Sequence, residues 1–174
     1  MIRAVLCCLA LLLPAAAGAE TAPVPAGAFA FTFTVTLPAA PAQVWAAATG
    51  NVLPWWDHSM SGDPHAMVIE PRPGGLFLET FDASGDGVAH AVVTYARRPQ
   101  MLRMEGPLGL AGHAIHMVTT WTLAPGAAPG TTDFTVEVHA AGEVHEGWPD
   151  VVEATWRHFI DERLRAYLEG RLAR

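Results

Sequence analysis

The chain has 174 residues, a formal net charge of −7 and ten basic residues, all arginine. That acidic balance argues against nucleic acid or anionic membrane as a partner, and the missing lysine excludes Schiff-base chemistry and a P-loop. The three serines, Ser59, Ser61 and Ser84, lie outside any G-x-S-x-G pattern, so a nucleophile-elbow hydrolase is excluded as well.

The N-terminus reads as a secretory signal peptide over residues 1–19. Arg3 supplies the positive start, Ala4 to Leu13 an apolar run too short to span a bilayer, and Ala17–Gly18–Ala19 a small-residue cleavage site. Cleavage after Ala19 leaves 155 residues, with nine arginines against seventeen acids and a net charge of −8. Cys7 and Cys8 leave with the peptide; both sit inside the apolar run rather than after it, which does not suit a lipid anchor. The expectation is a periplasmic or secreted protein without stable membrane insertion, free of thiols and disulfides, and of one-domain size.

Residues 20–28 are rich in alanine and proline and read as a tether. Phe29, Phe31, Phe33, Val35 and Leu37 then alternate with small and polar residues, a strand with one strongly apolar face. Pro38 ends it, and Pro41 suits the first position of a short helix running to about Thr49. Asn51 to His65, with Trp55 and Trp56 adjacent, reads as irregular or briefly helical. Strands follow at Ala66–Arg72, Leu76–Asp82, Gly87–Arg97, Met101–Glu105, His113–Leu123 and Thr131–Ala141, separated by Pro/Gly turns. That spacing predicts an antiparallel meander. From Pro149 to Glu169 the period becomes helical. Val152, Trp156, Phe159, Ile160 and Leu164 share one face, while Glu153, Arg157, Asp161 and Arg165 alternate in sign on the other. About 21 residues give a helix of roughly 30 Å, long enough to cross a sheet.

This order resembles the SRPBCC (START-like, helix-grip) superfamily over residues 29–170, and is most similar to its polyketide cyclase/dehydrase-like and heat-shock-protein-ATPase-activator-homologue branches. The resemblance rests on the opening strand running into Pro41–Trp45, Trp55–Trp56, Glu70–Phe77, Pro99–Leu102, Thr131–Phe134 and the terminal helix. It implies an α+β helix-grip fold: a seven-stranded antiparallel sheet around the C-terminal helix, two short helices after the first strand, and an apolar cavity between sheet and helix. It carries over no catalytic residue, and a role on a cytosolic chaperone does not suit an exported chain.

Strand parity puts Phe77, Glu79 and Phe81 on one face, and Met117 and Trp121 on one face of a later strand. If those faces meet the helix, they enclose an interior with Trp156 and Phe159, against Trp55 and Trp56. Such soft and flat surfaces suit a hydrophobic ligand, or simply fill a core. A carboxylate at Glu79 on that face needs a partner or a proton, and could then serve as an acid or base; Arg163, four residues after Phe159, is the candidate partner. In the opposite register Glu79 is solvated and Arg163 snorkels from the helix edge. Asp57, His58, Asp63 and His65 either hold a cation, line the pocket mouth or are ordinary loop residues. His113 and His116, an odd number of residues apart on a strand, should not chelate together. His139, Glu143, His145 and Glu146, near the final turn, either form a second weak cluster of ligand-type residues or lie on the surface. Asp82 to Gly87 opens like a calcium loop but lacks the Glu at its twelfth position, so it reads as a hairpin turn. The expected function is binding of a hydrophobic or amphipathic small molecule, with no metal and no cofactor. The alternative is a cyclase/dehydrase-type enzyme using a pocket Glu or His.

Overall fold

The computed structural model describes residues 23–172. The signal-peptide segment, its cleavage point and the first residues of the tether lie outside the described residues. An eight-stranded antiparallel sheet dominates, in the order β1-β8-β7-β6-β5-β4-β3-β2. Its strands are β1 (Ala26–Leu37), β2 (Gly50–Asn51), β3 (Ala66–Ile69), β4 (Leu76–Thr80), β5 (Gly87–Arg97), β6 (Met101–Glu105), β7 (Ile115–Pro125) and β8 (Thr132–Glu143). The expected count was seven. The eighth is β2, two residues long, which carries no alternation to read and exists through its pairing with Val68 and Ile69.

β1 reaches back to Ala26, into the stretch read as tether. Ala26, Gly27 and Ala28 offer no polar–apolar contrast, yet they complete the ladder to β8 opposite Glu143, Gly142 and Ala141. Further along, Phe33, Val35 and Leu37 are buried and Thr32, Thr34 and Thr36 exposed, as alternation requires. The helix α1 (Pro41–Ala48) follows, with the Gln43 side chain accepting the Ala40 amide at its start. No second short helix follows it among the described residues; residues 52–65 form a turn at 53–55 and then irregular backbone, where Pro54, Gly62 and Pro64 break any helical run.

The C-terminal helix α2 covers residues 148–168. Its first part, Trp148–Arg157, is α-helical; His158–Leu164 widens to π geometry, and Arg165–Leu168 returns to α. Phe159 and Ile160 are both buried, as helical spacing predicts, and from this π turn His158 and Arg163 reach the 55–58 loop. On the outer face Arg157 pairs with Glu153 and Arg165 with Asp161, the expected four-residue pattern. The inner face meets the sheet: Trp156 lies edge-on to Trp121 of β7, ring centroids 5.8 Å apart. The largest fully buried side chains, among them Trp55, Trp121, Phe77 and Phe134, fill the space between sheet and helix. No helix among the described residues is long and apolar enough to cross a membrane.

Candidate functional site

The core is not completely filled. A cavity of about 330 Å³ lies between β4–β5, the 56–60 loop, the turn Leu108–Leu110 and the first half of α2. Its walls are chiefly Trp56, Phe77, Leu108, Val152, Trp156 and Phe159. The exposed members His58, Met60, Gly109 and Val151 mark its rim. The paired tryptophans divide the work. Trp55 donates its indole N–H to Ala47 O at 2.8 Å and anchors the loop to α1. Trp56 stacks on Phe159 with centroids 3.8 Å apart and stands edge-on to Phe77, forming an aromatic wall. On the opposite side Leu108 takes φ of 52°, a left-handed conformation that costs a non-glycine residue about 1 kcal/mol.

Glu79 points inward and has no solvent exposure. Its Oε1 accepts Ser61 N–H at 2.9 Å and Ser61 Oγ–H at 2.7 Å; its Oε2 accepts Met60 N–H at 2.9 Å and lies 2.9 Å from His90 Nε2. Burial pushes the carboxyl up, but these four hydrogen bonds outweigh it and hold Glu79 below the usual carboxylate range. An ionised carboxylate only accepts, so His90 carries its hydrogen on Nε2. The imidazole of His90 lines the cavity, and its Nδ1 has no hydrogen-bond partner among the described residues. Glu79 therefore orients, and His90 is the buried polar residue of the lining, with His58, Ser59 and Thr155 the less buried ones.

Arg163 is not the partner expected for Glu79. Its Nε lies 3.1 Å from Asp57 Oδ2 and 3.2 Å from Trp55 O, because the π turn carries it over the 55–57 loop. Phe81 lies past the end of β4 and is exposed, so it does not join Phe77. Met117, Trp121 and Trp55 are core residues beside the cavity rather than on its wall. Trp56, Phe77, Trp156 and Phe159 line it. Of the four polar loop residues, Asp57 and His58 converge with His158 of α2, whereas Asp63 and His65 stay apart from them. Burial raises the Asp57 carboxyl, and the His158 and His58 hydrogen bonds more than reverse this. In return, although burial lowers it, the His158 imidazole is raised by Asp57 and Glu162.

His90 escaped the reading of strand parity. Phe77 pairs with Ala91 and Leu78 with Ala89, leaving His90 as the extra residue of a β-bulge. Two consecutive side chains, His90 and Ala91, then face inward. Gly106 permits this: a Cβ there would stand 2.3 Å from His90 O and 2.5 Å from Ala91 Cα. Leu108 and Leu110 were missed too, since a turn has no period from which to assign a face.

A second polar cluster lies beside the rim. His113 Nδ1 and His145 Nε2 both approach Glu143 Oε1, at 2.8 and 2.7 Å, while Ala114 N–H donates to Oε2 at 3.2 Å. The histidine hydrogen bonds, then that amide, draw the Glu143 carboxyl down to about 2. His113 precedes β7, which starts at Ile115, so strand parity does not relate it to His116; His116 faces Glu105, and His139 pairs with Glu137. Asp82 to Gly87 is a hairpin turn, closed by Phe81 N–H to Asp86 O.

Residues 28–173 match the family described as polyketide cyclase / dehydrase and lipid transport, of the SRPBCC superfamily. The chain belongs to this family. No curated protein matches the sequence closely enough to count as a relative. Among solved structures, a protein from Rhodobacter sphaeroides is 24% identical, with 81% of this chain and 92% of that one aligned at a TM-score of 0.56. Mll3558 from Rhizobium loti is 19% identical over 79% of this chain and 95% of its own, with a TM-score of 0.58. DynU16, from the dynemicin biosynthetic locus, is 22% identical over 82% of this chain and 48% of its own, at a TM-score of 0.50. At these identities the likenesses show the fold. The polyketide cyclase/dehydrase family is the level of relationship the sequence itself supports.

Proposed function

We propose that this protein binds an apolar or amphipathic small molecule in the cavity beneath α2. The supporting observation is the aromatic wall of Trp56, Phe77, Trp156 and Phe159 around unfilled space, with His90 as its buried polar point. Size narrows the class. An apolar cavity of ~150 Å³ takes up a benzene molecule. About 330 Å³ therefore suits roughly two rings or a medium-length acyl chain, and is small for an extended polycycle. Residues 1–19 retain the layout of an export signal, and we place the binding function outside the cytoplasm, in residues 29–170.

Cyclase/dehydrase-type chemistry is the second reading, favoured by one observation: the Glu79–His90 pair aims an oriented imidazole at a mainly apolar site. That is the arrangement a general base needs to remove a proton from carbon next to a carbonyl. The two readings separate in one experiment with a two-ring β-diketone. Saturable binding supports carriage. Binding with deuterium uptake at the activated carbon faster than in protein-free buffer, an acceleration lost in His90→Ala while the probe still binds, supports catalysis. Absence of binding for this probe and for an acyl-chain series, with no ligand co-purifying, overturns both.

A further inference from the structure

We propose that His113, His145 and Glu143 form a binding site for a divalent first-row transition metal such as Zn²⁺ at the cavity rim. This departs from the expectation that the chain has no metal, and it is independent of what the cavity binds. The three donor atoms, His113 Nδ1, His145 Nε2 and a Glu143 oxygen, all lie within 4.8 Å of one another. Both imidazole nitrogens aim at the same oxygen, Oε1. Ligands held at about 2.1 Å in a tetrahedral shell stand about 3.4 Å apart, so a metal needs only a slight opening of the present 2.7 and 2.8 Å separations.

The support behind these donors is built into the fold. Glu143 N–H donates to Ala114 O at 2.9 Å, and Ala114 N–H returns a bond to Glu143 Oε2, the outer contact expected behind a ligating carboxylate. Gly142 lets the two segments approach so closely: it has φ of 128°, and a Cβ there would lie 2.3 Å from Ala114 O. Trp148 packs on both rings, 4.9 Å from His113 and 4.5 Å from His145 between centroids, and limits their rotation. The side chains of His113 and His145 remain 43% and 42% exposed, which leaves an entry path and room for solvent ligands. Two imidazoles and one carboxylate suit zinc, copper or iron better than calcium or magnesium.

The other convergent group, Asp57, His58 and His158, lacks this quality. The Arg163 guanidinium sits 3.1 Å from Asp57 Oδ2, where a metal would face a fixed positive charge. The rim site also has a structural consequence. His113 N–H bonds Leu110 O in the turn that walls the cavity, and Trp148 begins the helix that carries Val151 and Val152. A bound metal would tie those two sides of the mouth together.

The test is titration of the untagged, chelator-treated chain with Zn²⁺ alone by calorimetry, and with Co²⁺ followed by visible spectroscopy, at pH 7.5. One Zn²⁺ per chain is expected, with micromolar or tighter affinity, a higher melting temperature, and a Co²⁺ spectrum free of thiolate charge transfer. His113→Ala and His145→Ala should each weaken binding at least tenfold. Both rings are exposed, and melting without metal reports whether each variant is folded. Glu143→Gln should weaken binding as well. A His58→Ala/His158→Ala double variant should bind as the parent does. Absence of saturable binding, insensitivity to His113→Ala and His145→Ala, loss in the His58/His158 variant, or a thiolate spectrum from Cys7 or Cys8 would overturn the proposal.

Discussion

Glu79 and Glu143 are both carboxylates flanked by histidine, yet one is sealed beside the cavity and the other lies at its edge. Glu79 has two backbone amides, a serine hydroxyl and one imidazole to offset its burial. Glu143 has two imidazoles and one amide, and burial opposes it little. Inside the protein the hydrogen bonds are spent on keeping a charge tolerable; at the rim the same chemistry is left available for a ligand.

The comparison breaks most readily at the inner pair. Glu79→Ala leaves the buried His90 without its partner and removes the acceptor of two part-buried amides and Ser61 Oγ–H, and should cost about 1–3 kcal/mol in urea unfolding. A loss below about 1 kcal/mol would show that the inner charge is not committed to the fold. Gly106→Ala comes next. Its Cβ collides with the His90 bulge, so overpacking of about 1–3 kcal/mol is expected, along with a displaced His90 and weaker cavity binding.

The pH dependence sharpens the contrast. Glu79 is held below its ordinary 4.5 in the folded state, so its contribution is fully present above pH 4.5 and lost as pH falls through the lower folded value. Glu79→Gln should flatten this acid limb. His158 is raised above 6.5, so its contribution is complete below pH 6.5 and is lost as pH rises through the folded value. His158→Ala should remove that alkaline limb in a pH series of melting temperatures. The smallest effect belongs to Glu143→Gln in metal-free protein, whose unfolding midpoint should shift far less than that of Glu79→Ala.

Regular periods made much of this architecture legible in the sequence. Alternation along β1 and β7 assigned the buried faces of Phe33, Val35, Leu37, Met117 and Trp121, and helical spacing placed Trp156 and Phe159 on the inner face of α2. What escaped lies where the period changes. The β5 bulge turned His90 inward, the π turn swung Arg163 from Glu79 to Asp57, and β2 was too short to alternate. The rim cluster joins His113 to residues thirty or more positions away through the Ala114–Glu143 bridge, a relation that only strand pairing creates.

The central claim is that the space beneath α2 is a binding site. NMR of the tryptophan indole N–H signals during titration with a two-ring apolar probe tests it directly. Trp56 and Trp156 should shift in a saturable one-to-one manner while Trp45, which belongs to α1 and lies outside the cavity, stays still; Val152→Trp should fill the cavity and abolish the response. Shifts confined to Trp45, a response that survives Val152→Trp, or no saturable response across two-ring and acyl-chain probes would contradict the account.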